Sequence, residues 1–462
     1  MKHVLIYIFL FVSIPGQSTI KTDKMMGILA ASGIPKKDIS LHITNKNNDI
    51  FKWNSNKKRI PASLTKIFIA SAAFDLLGSD YIWTSKITTG AVRKGKELKG
   101  HMCFSGGGNP SLISEKMWEL ANRFHRTGIR TVSGDIIVDS SFFDRELYAS
   151  GRQASRVSRA YDSPVSGASF NWNSVNLFVS LDAAGKPIVY ADPENRYITI
   201  DNKLKIGKKR NVKIERLSSL AGDKFIVSGS VPKGFKEKAF YRAITQPDMW
   251  TGENLKSFLE RRGVVVAGRV RTGFCSPAER ELARVESKKL SLVVMDMMKF
   301  SNNFLTEILV KTIAKKANPN DPGSMKSGMV ELKKYFAKAL PGKKIDIPSV
   351  SGLSQKNKIA TDDLITILAK KYGDFSSKYE FVSSFPISGR DGTLKNRMQS
   401  IEGSVRAKTG LLSGVVGLAG FIQGQSGQEY YFVMVLNSKN KNKEWLARQT
   451  FDKMLTRFAK DN

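Results

Sequence analysis

Histidine and cysteine are scarce in this sequence of 462 residues, which has four histidines and two cysteines. The histidines are His3, His42, His101 and His125. They are few and far apart in the sequence, which leaves little room for a histidine-based metal site. Neither Cys103 nor Cys275 belongs to a Cys-x-x-Cys pair, so zinc-finger spacing is absent. Two cysteines are also too few for a disulfide scaffold, and the sequence leaves open whether they pair with each other.

Acidic residues are few as well. Against 74 lysines and arginines there are 41 aspartates and glutamates, so the formal net charge is +33 and the pI is near 10. This balance favours an anionic environment, such as nucleic acid, a membrane surface or an acidic cell wall. Hydrophobic residues make up 41% of the chain, which excludes a disordered protein and permits sizeable cores. The length suggests about two to four domains.

The N-terminus has the pattern of a secretory signal. Lys2 and His3 precede an apolar run over Val4–Ile14, and small residues follow at Gly16–Ser18, so we assign residues 1–18 to a signal peptide. The alternatives are an uncleaved anchor or a buried strand, but a membrane-spanning helix needs ~20 apolar residues, and no later stretch provides them. The sequence therefore predicts an exported protein, periplasmic or extracytoplasmic, and this setting disfavours nucleic-acid binding.

Residue patterns divide the rest of the chain into helical ends and a β-rich middle. The N-terminal part has a short helix over Lys24–Ser32 and a hairpin over Ser40–Thr44 and Asp49–Trp53. It ends in a helix at Leu64–Leu77 that is apolar all round, and such a helix is buried. A second hairpin and a final helix close the chain. The predicted boundaries are 19–84 and 278–462 for the two parts of a split domain, and 85–277 for an inserted β-rich region of one or two subdomains.

Ser63 and Lys66 are a candidate nucleophile and base. At positions i and i+3 they share one helix face, in the first turn after Pro61, a residue that suits a helix start. Serines that also precede a lysine by three positions are Ser18, Ser55, Ser230 and Ser438. Only Lys66 begins an apolar helix, where burial favours a neutral amine that can accept the Ser63 proton. The alternative is a lysine that extends from the helix end into solvent.

Two further motifs lie in the C-terminal part. Ser301 and Asn303 stand next to a predicted helix, where a Ser-Asn pair is commonly a cap. Lys408, Thr409 and Gly410 precede the final hairpin and can lie on a strand. A cation, a hydroxyl and a glycine that permits close approach suit the binding of a substrate carboxylate. The alternative for this strand is an exposed basic edge.

The order Ser-x-x-Lys, Ser-x-Asn and Lys-Thr-Gly is the signature of the active-site serine penicillin-interacting enzymes. Further family segments, in family order, are PASLTK, GGGNPSL, GDIIVDSSFFD, YDSPVSGASFNWNSV, SGLSQKN, ISGRDGTLKNRM and VRAKTGLLSGVVGLAG. The chain thus resembles, over nearly its whole length, the D-alanyl-D-alanine carboxypeptidase/endopeptidase family of low-molecular-mass class C penicillin-binding proteins, peptidase family S13. The resemblance implies an α/β (α+β) fold, a transpeptidase-like domain with an antiparallel sheet flanked by helices, split by a β-rich insertion.

The same resemblance implies catalytic roles. Ser63 would attack the carbonyl between two terminal D-alanines, or that of a D-alanyl cross-link, and form an acyl-enzyme with Lys66 as the base. Ser301 would relay a proton to the leaving amine, and Asn303 would orient Lys66 and the substrate amide. Carboxypeptidase and endopeptidase action both fit this scheme, because they differ only in the leaving group.

Substrate binding follows from the resemblance in the same way. Lys408 and Thr409 would hold the terminal carboxylate beside Gly410, and the backbone N–H groups of Ser63 and Leu411 would form the oxyanion hole. No metal or cofactor is needed. The implied partners are peptidoglycan peptides, with β-lactams such as penicillin as covalent inhibitors. The positive charge predicts peripheral association with anionic wall or membrane polymers, and no nucleic-acid partner is expected.

Three residues depart from the family pattern. Leu411 replaces a frequent threonine, which removes a hydroxyl but keeps the N–H. Gln355 stands where relatives have a basic residue, so we expect altered recognition of peptide side chains. Asn109 replaces an acidic residue within a turn that asparagine serves equally well.

Other function classes remain as alternatives. A β-lactamase would use the same motifs and release its acyl group quickly, although the large insertion disfavours it. A catalytically silent wall-binding homologue would need only the positive charge, and the intact motifs speak against it. An exported DNA-binding protein would interleave aromatic residues with its charges, and the sequence has no such stripe.

Overall fold

The computed structural model describes residues 17–149, 158–219 and 221–462. The expected signal peptide lies outside these residues, except for residues 17 and 18, where the first helix begins. That helix extends further towards the N-terminus than the predicted Lys24–Ser32 segment. Over the described ranges, no helix combines the length and the apolar character that a membrane crossing requires.

Strands dominate the middle of the chain, and most of the helices lie in the two outer parts. In the described residues the helices are α1 (Gln17–Ala31), α2 (Thr65–Leu77), α3 (Ser114–His125), α4 (Pro247–Glu260), α5 (Leu290–Lys299), α6 (Asn303–Ala317), α7 (Met325–Ala339), α8 (Thr361–Gly373), α9 (Lys378–Ser383) and α10 (Lys443–Asp461). The strands there are β1 (Ile39–Thr44), β2 (Asp49–Trp53), β3 (Thr84–Thr89), β4 (Val92–Lys94), β5 (Glu97–Lys99), β6 (Met102–Ser105), β7 (Thr131–Val132), β8 (Ile136–Asp139), β9 (Ser174–Leu181), β10 (Pro187–Asp192), β11 (Ile198–Ile206), β12 (Asn211–Ser219), β13 (Gly222–Val231), β14 (Lys238–Ala243), β15 (Val265–Val266), β16 (Val270–Thr272), β17 (Arg280–Glu286), β18 (Val405–Leu412), β19 (Val415–Gln423) and β20 (Glu429–Asn437).

One antiparallel sheet joins the two ends of the chain. Its strand order is β18-β19-β20-β1-β2, so both predicted hairpins are present and lie side by side. Leu41 of β1 pairs with Met434 of β20. Strand β19 is buried almost throughout, because Leu418 packs with α1 and α10 on one face while Phe421 packs with the helical core on the other. Burial on both faces explains its unbroken apolar sequence.

Helix α2 is the centre of the helical core and is buried on all sides, as its sequence predicts. Its residues from Thr65 to Phe74 are all buried, and it contacts α5, α6, α7 and α8. Phe68 meets Phe336 of α7 edge to face, with ring centroids 5.6 Å apart. Full burial of one such side chain contributes about 2–3 kcal/mol, so this core fixes the position of the residues that begin α2.

The middle of the chain folds around a core of its own. Its four sheets have the strand orders β10-β9-β14, β11-β13-β12, β15-β7-β5-β4 and β16-β8-β6-β3-β17. Trp250 of α4 is fully buried there, and its indole N–H donates to the Phe170 carbonyl at 3.0 Å. The β-rich middle expected from the sequence is thus built on several small sheets with two helices, α3 and α4.

The inserted region ends later than the predicted boundary at residue 277. Strand β17 pairs antiparallel with β3, and its Ala283 and Val285 belong to the core of the insertion. Alternating exposed and buried residues along β17 carry the signal for this strand, and the insertion extends to Glu286. Cys103 of β6 and Cys275 form a disulfide, with their Cα atoms 5.5 Å apart, which ties the segment before β17 to the sheet.

Candidate active site

Ser63 lies in a single 3₁₀ turn, Ala62–Leu64, which leads directly into α2. Ala62 has a φ of 48°, a left-handed conformation that is uncommon for a residue other than glycine. This bend precedes the helix, so Ser63 occupies a fixed position at the start of α2. Lys66 Nζ lies 3.1 Å from Ser63 Oγ, which confirms that the two side chains share one face.

Lys66 is fully buried, and its amine has a defined set of partners. Besides Ser63 Oγ, it contacts Asn303 Oδ1 at 2.8 Å and the Ser351 carbonyl oxygen at 2.6 Å. The amide of Asn303 is oriented by Tyr161, whose carbonyl accepts from Asn303 Nδ2 at 3.0 Å. The oxygens of Asn303 and Ser351 can only accept a hydrogen bond, whereas the Ser63 hydroxyl can either accept or donate one.

Ser301 and Asn303 reach the site because the residue between them caps a helix. Asn302 Oδ1 accepts from the Leu305 N–H at 3.1 Å, so the predicted cap is present, but at Asn302. Ser301 adopts a left-handed φ of 55° between α5 and α6, while Asn303 is the first residue of α6. The cap therefore leaves the two flanking side chains free to face Ser63 and Lys66.

Lys408 is also fully buried, although it lies on β18 at the edge of the sheet. Its Nζ donates to Ser301 Oγ at 2.8 Å and to the Thr409 carbonyl at 2.7 Å. Burial, together with the positive charge of Lys66, holds the pKa of Lys408 well below its usual value. The alternative of a solvated basic edge strand is therefore wrong for this position.

The glycine of the Lys-Thr-Gly motif lets β18 approach the turn that carries Ser63. A Cβ on Gly410 would lie 2.8 Å from the Pro61 carbonyl oxygen. Gly352 has the same function on the opposite side, because a Cβ there would lie 2.2 Å from the Ala62 carbonyl oxygen. Both glycines thus allow backbone to pack directly against the residues around Ser63.

Five of the predicted residues line one cavity of about 370 Å³. These are Ser63, Ser301, Thr409, Gly410 and Leu411. Thr409 Oγ1 donates to Thr393 Oγ1 at 2.9 Å, and the Leu411 side chain is exposed at the rim. Lys66 and Lys408 lie buried and contact Ser63 Oγ and Ser301 Oγ respectively.

Sequence reasoning missed several residues of this site. The most important is Ser351, whose backbone carbonyl accepts from Lys66. Every residue type has such a carbonyl, so the sequence cannot indicate this contact. Asn357 Nδ2 bonds to the Ser349 carbonyl at 2.7 Å and to Thr65 Oγ1 at 3.2 Å, which fixes the loop around Ser351 beside α2. Ser351 and Asn357 are the first and last residues of the SGLSQKN segment. That family segment was therefore the sequence feature that could have pointed to them. Thr393, Arg397 and Arg448 also line the cavity.

The sequence model of the family described as D-Ala-D-Ala carboxypeptidase 3 (S13) matches residues 24–458. The chain belongs to that family. Membership confirms the resemblance seen in the motifs and makes the protein a member of a carboxypeptidase family of hydrolases.

Two known D-alanyl-D-alanine carboxypeptidases align over most of the chain. The D-alanyl-D-alanine carboxypeptidase of Actinomadura sp. (strain R39) is 28% identical over 423 residues, which is 86% of this chain and 76% of the relative. The D-alanyl-D-alanine carboxypeptidase DacB of Haemophilus influenzae is 26% identical over 405 residues, which is 85% of this chain and 83% of the relative.

Solved structures confirm the predicted fold. Penicillin-binding protein 4 of Haemophilus influenzae superposes with a TM-score of 0.77 at 21% identity, covering 96% of this chain and 99% of that chain. A predatory endopeptidase from Bdellovibrio bacteriovorus superposes with a TM-score of 0.51 at 16% identity, covering 91% of this chain and 92% of that chain.

The three departures from the S13 pattern have different surroundings. Asn109 is buried, and its Oδ1 accepts from the Ser111 N–H at 2.9 Å, so asparagine does hold the turn. Gln355 is exposed and does not line the cavity at Ser63. Leu411 lies on β18, lines the cavity at Ser63 and retains its backbone N–H. Compared with the threonine of relatives, it lacks only the side-chain hydroxyl.

Proposed function

We propose that this protein is a serine-type D-Ala-D-Ala carboxypeptidase, DD-endopeptidase or both, which acts on peptidoglycan stem peptides and cross-links through an acyl-enzyme at Ser63. The observation that carries the proposal is the set of partners around Lys66. A neutral amine has two protons and one lone pair. In the neutral form that we propose, the amine donates its two protons to the oxygens of Asn303 and Ser351 and turns its lone pair towards the Ser63 hydroxyl.

Acylation then needs only groups already in place. Lys66 Nζ takes the proton of Ser63 Oγ as Oγ bonds to the scissile carbonyl carbon. The N–H groups of Ser63 and Leu411 stabilise the oxyanion, a contribution of about 3–4 kcal/mol per donor in comparable sites. Ser301 Oγ, held by Lys408, relays the proton that Lys66 took from Ser63 to the leaving amine as the C–N bond breaks. Water then attacks the acyl-enzyme, which releases the peptide acid and returns the proton to Ser63.

The cavity also accounts for recognition of the terminal carboxylate. Thr409 presents a hydroxyl there, and Lys408 supplies positive charge from behind it. Charge-assisted hydrogen bonds of this kind are roughly twice as strong as neutral ones. A β-lactam with a carboxylate next to its reactive amide presents the same two features, so penicillin should acylate Ser63.

The decisive experiment is a time course of intact mass after the purified protein is mixed with a penicillin. The wild type should gain one penicilloyl group that lasts many minutes, and Ser63→Ala should gain none. Ser230→Ala is the matched control, because Ser230 also precedes a lysine by three positions but lies on β13 of the insertion.

Each other outcome indicates a different function. Rapid loss of the adduct with turnover of the drug would make the protein a β-lactamase. A folded protein that never forms the adduct would be a catalytically silent wall-binding homologue.

We also propose that the protein is exported and held near anionic wall polymers. The N-terminal signal pattern, the disulfide between Cys103 and Cys275 and the net charge of +33 support this proposal. Retention on isolated cell walls should fall as salt rises from low to high concentration, because added ions screen the attraction. Retention that is unchanged by salt would contradict it.

A further inference from the structure

One segment of the insertion carries positive charge without any acidic residue. Residues 203–213 contain six lysines and arginines and no aspartate or glutamate, whereas the whole chain has 41 acidic residues against 74 basic ones. The side chains of all six cations are exposed. These six residues, which form the basic cluster, are Lys203, Lys205, Lys208, Lys209, Arg210 and Lys213.

Strand pairing places the basic cluster on the outer face and at one end of a small sheet. Strand β13 is the centre of this sheet, with β11 parallel on one side and β12 antiparallel on the other. Leu204 of β11 and Val212 of β12 pack in the small core beneath the sheet. Because side chains alternate along a strand, the neighbouring Lys203, Lys205 and Lys213 point to the opposite, outer face.

The register of the three strands turns this outer face into a groove. Lys203 of β11 pairs with Ser228 of β13, which pairs in turn with Lys213 of β12. Two residues further along, Lys205 lies beside Ser230. Two strand spacings, about 10 Å, separate the outer strands. Long cationic side chains therefore border a central strand whose outer face carries only serine hydroxyls between them.

The loop between β11 and β12 closes one end of the groove. Ser230 Oγ donates to the Lys209 carbonyl at 2.9 Å, and the Gly207 N–H donates to the Val231 carbonyl at 2.9 Å. A Cβ on Gly207 would lie 2.8 Å from the Ser230 Cβ, so this close approach requires a glycine. The loop is thereby fixed across the end of the sheet, together with the three cations at residues 208–210.

Acidic residues occur only at the opposite end of this outer face. Asp201 and Glu215 lie on either side of Ile226. Asp201 Oδ2 is 3.5 Å from Lys203 Nζ and 3.4 Å from Lys224 Nζ. Within residues 17–149, 158–219 and 221–462, the other five cations of the basic cluster have no ion pair with a carboxylate. The remaining segments contain no aspartate or glutamate, so the positive charge of the groove is not neutralised by this chain.

The groove and the catalytic residues lie on opposite sides of this sheet. Ile214, on the inner face of β12, lines a cavity of about 960 Å³ to which Ser301 and Asn303 also contribute. The basic cluster lines neither this cavity nor the one at Ser63. An anion bound in the groove is therefore not the peptide that reacts at Ser63.

The chemistry of the groove fits a phosphodiester polymer. Residues two apart on a strand repeat about every 7 Å, which is similar to the distance between successive phosphates joined by a three-carbon polyol. Lysines bind phosphate as point charges, and the guanidinium of Arg210 matches two phosphate oxygens at once. Residues 203–213 include no aromatic side chain on which nucleic-acid bases could stack.

We propose that this groove binds a phosphodiester-linked polymer of the cell wall and holds the enzyme there while the cavity at Ser63 stays accessible to substrate. The inference rests on the proposed export and wall association. It adds to them a defined binding surface and the chemistry of the partner.

The test measures binding of the purified protein to poly(glycerol phosphate) and to isolated cell walls. A triple variant with Lys205→Gln, Lys209→Gln and Lys213→Gln should bind the polymer about ten- to a hundredfold more weakly than the wild type at low salt. The slope of log affinity against log salt should become smaller by about 2, because three fewer cations displace counter-ions. Walls treated with hydrofluoric acid, which cleaves phosphodiesters, should lose their capacity to retain the wild type.

A matched control removes the same charge from another exposed surface. Lys326→Gln, Lys333→Gln and Lys338→Gln change three exposed lysines of α7, and this triple variant should bind the polymer within about twofold of the wild type. Formation of the penicillin adduct, followed by intact mass, checks that both triple variants are folded.

The outcomes separate this inference from the proposals on which it rests. Failure of penicillin to acylate the wild type refutes the proposed activity alone. If untreated walls do not retain the wild type, the wall association and this inference both fail. If walls retain the wild type but the two triple variants bind equally well, the association stands and this inference is wrong. Equal retention on treated and untreated walls, or tighter binding to duplex DNA than to the polymer, would overturn the chemistry assigned to the partner.

Discussion

Lys66 and Lys408 are both fully buried beside a serine hydroxyl, yet their surroundings differ. Lys66 begins a helix and has two obligate acceptors, Asn303 Oδ1 and the Ser351 carbonyl. Lys408 lies on an edge strand and has one, the carbonyl of Thr409. Under the proposed function, the first arrangement suits a neutral amine that acts as a base towards Ser63. The second suits a cation that donates to a substrate carboxylate.

The largest effect is expected for Lys66→Arg. A guanidinium cannot act as a base, and its planar group does not fit the contacts that the amine makes with Ser63, Asn303 and Ser351, so acylation by penicillin should fall by about 10⁴-fold. The measurement is the rate of adduct formation by intact mass. Lys233→Arg, in the Ser-x-x-Lys segment of the insertion, should acylate like the wild type. Near-normal acylation by a folded Lys66→Arg protein would remove Lys66 from the mechanism.

An intermediate effect is expected for Lys408→Met. The variant loses the cation that faces the substrate carboxylate, so kcat/KM for a D-Ala-D-Ala peptide should fall by about ten- to a hundredfold. Because burial disfavours the charged form of Lys408, its replacement should at the same time raise the free energy of unfolding at a pH below its lowered pKa, by on the order of 1–3 kcal/mol. Activity and urea denaturation of the same preparation measure both effects. A variant that is both inactive and less stable would contradict the proposed role.

The pH dependence of stability sharpens the same comparison. The pKa of Lys408 is lowered in the folded protein and is about 10.5 in the unfolded chain. At a pH between these two values, the unfolded chain binds a proton at Lys408 that the folded chain does not bind. The free energy of unfolding of the wild type should therefore rise with pH across this window. The stability advantage of Lys408→Met should be largest below the window and should shrink as the pH approaches its upper end.

The smallest of the three effects is expected for Gly410→Ala, which should displace β18 rather than remove a functional group. The added methyl would lie 2.8 Å from the Pro61 carbonyl, so the strand with Lys408 must move away from Ser63. Acylation should slow by about tenfold, and the free energy of unfolding should fall by about 1–2 kcal/mol. Gly373→Ala is the control, because a Cβ there meets no atom within 4 Å. Equal behaviour of the two variants would show that close approach of β18 is not required.

Side chains with a strong local signal were predictable from the sequence. An apolar helix that begins with Ser63 and Lys66 predicts a buried lysine. Alternating residues predict the first hairpin of the main sheet, and two apolar runs that flank GQSGQ predict the second. Other features depend on contacts between distant parts of the chain. The Ser351 carbonyl is indistinguishable from any other carbonyl in the sequence. The end of the insertion at Glu286 depends on the pairing of β17 with β3.

The disulfide has a consequence for the integrity of the whole chain. Cys103 and Cys275 are 172 positions apart, so most of the insertion is a covalently closed loop. A protease that cuts this loop once produces two fragments that stay bonded to each other and to both parts of the split domain. Nicked protein would therefore migrate as one species on a non-reducing gel and as two after reduction.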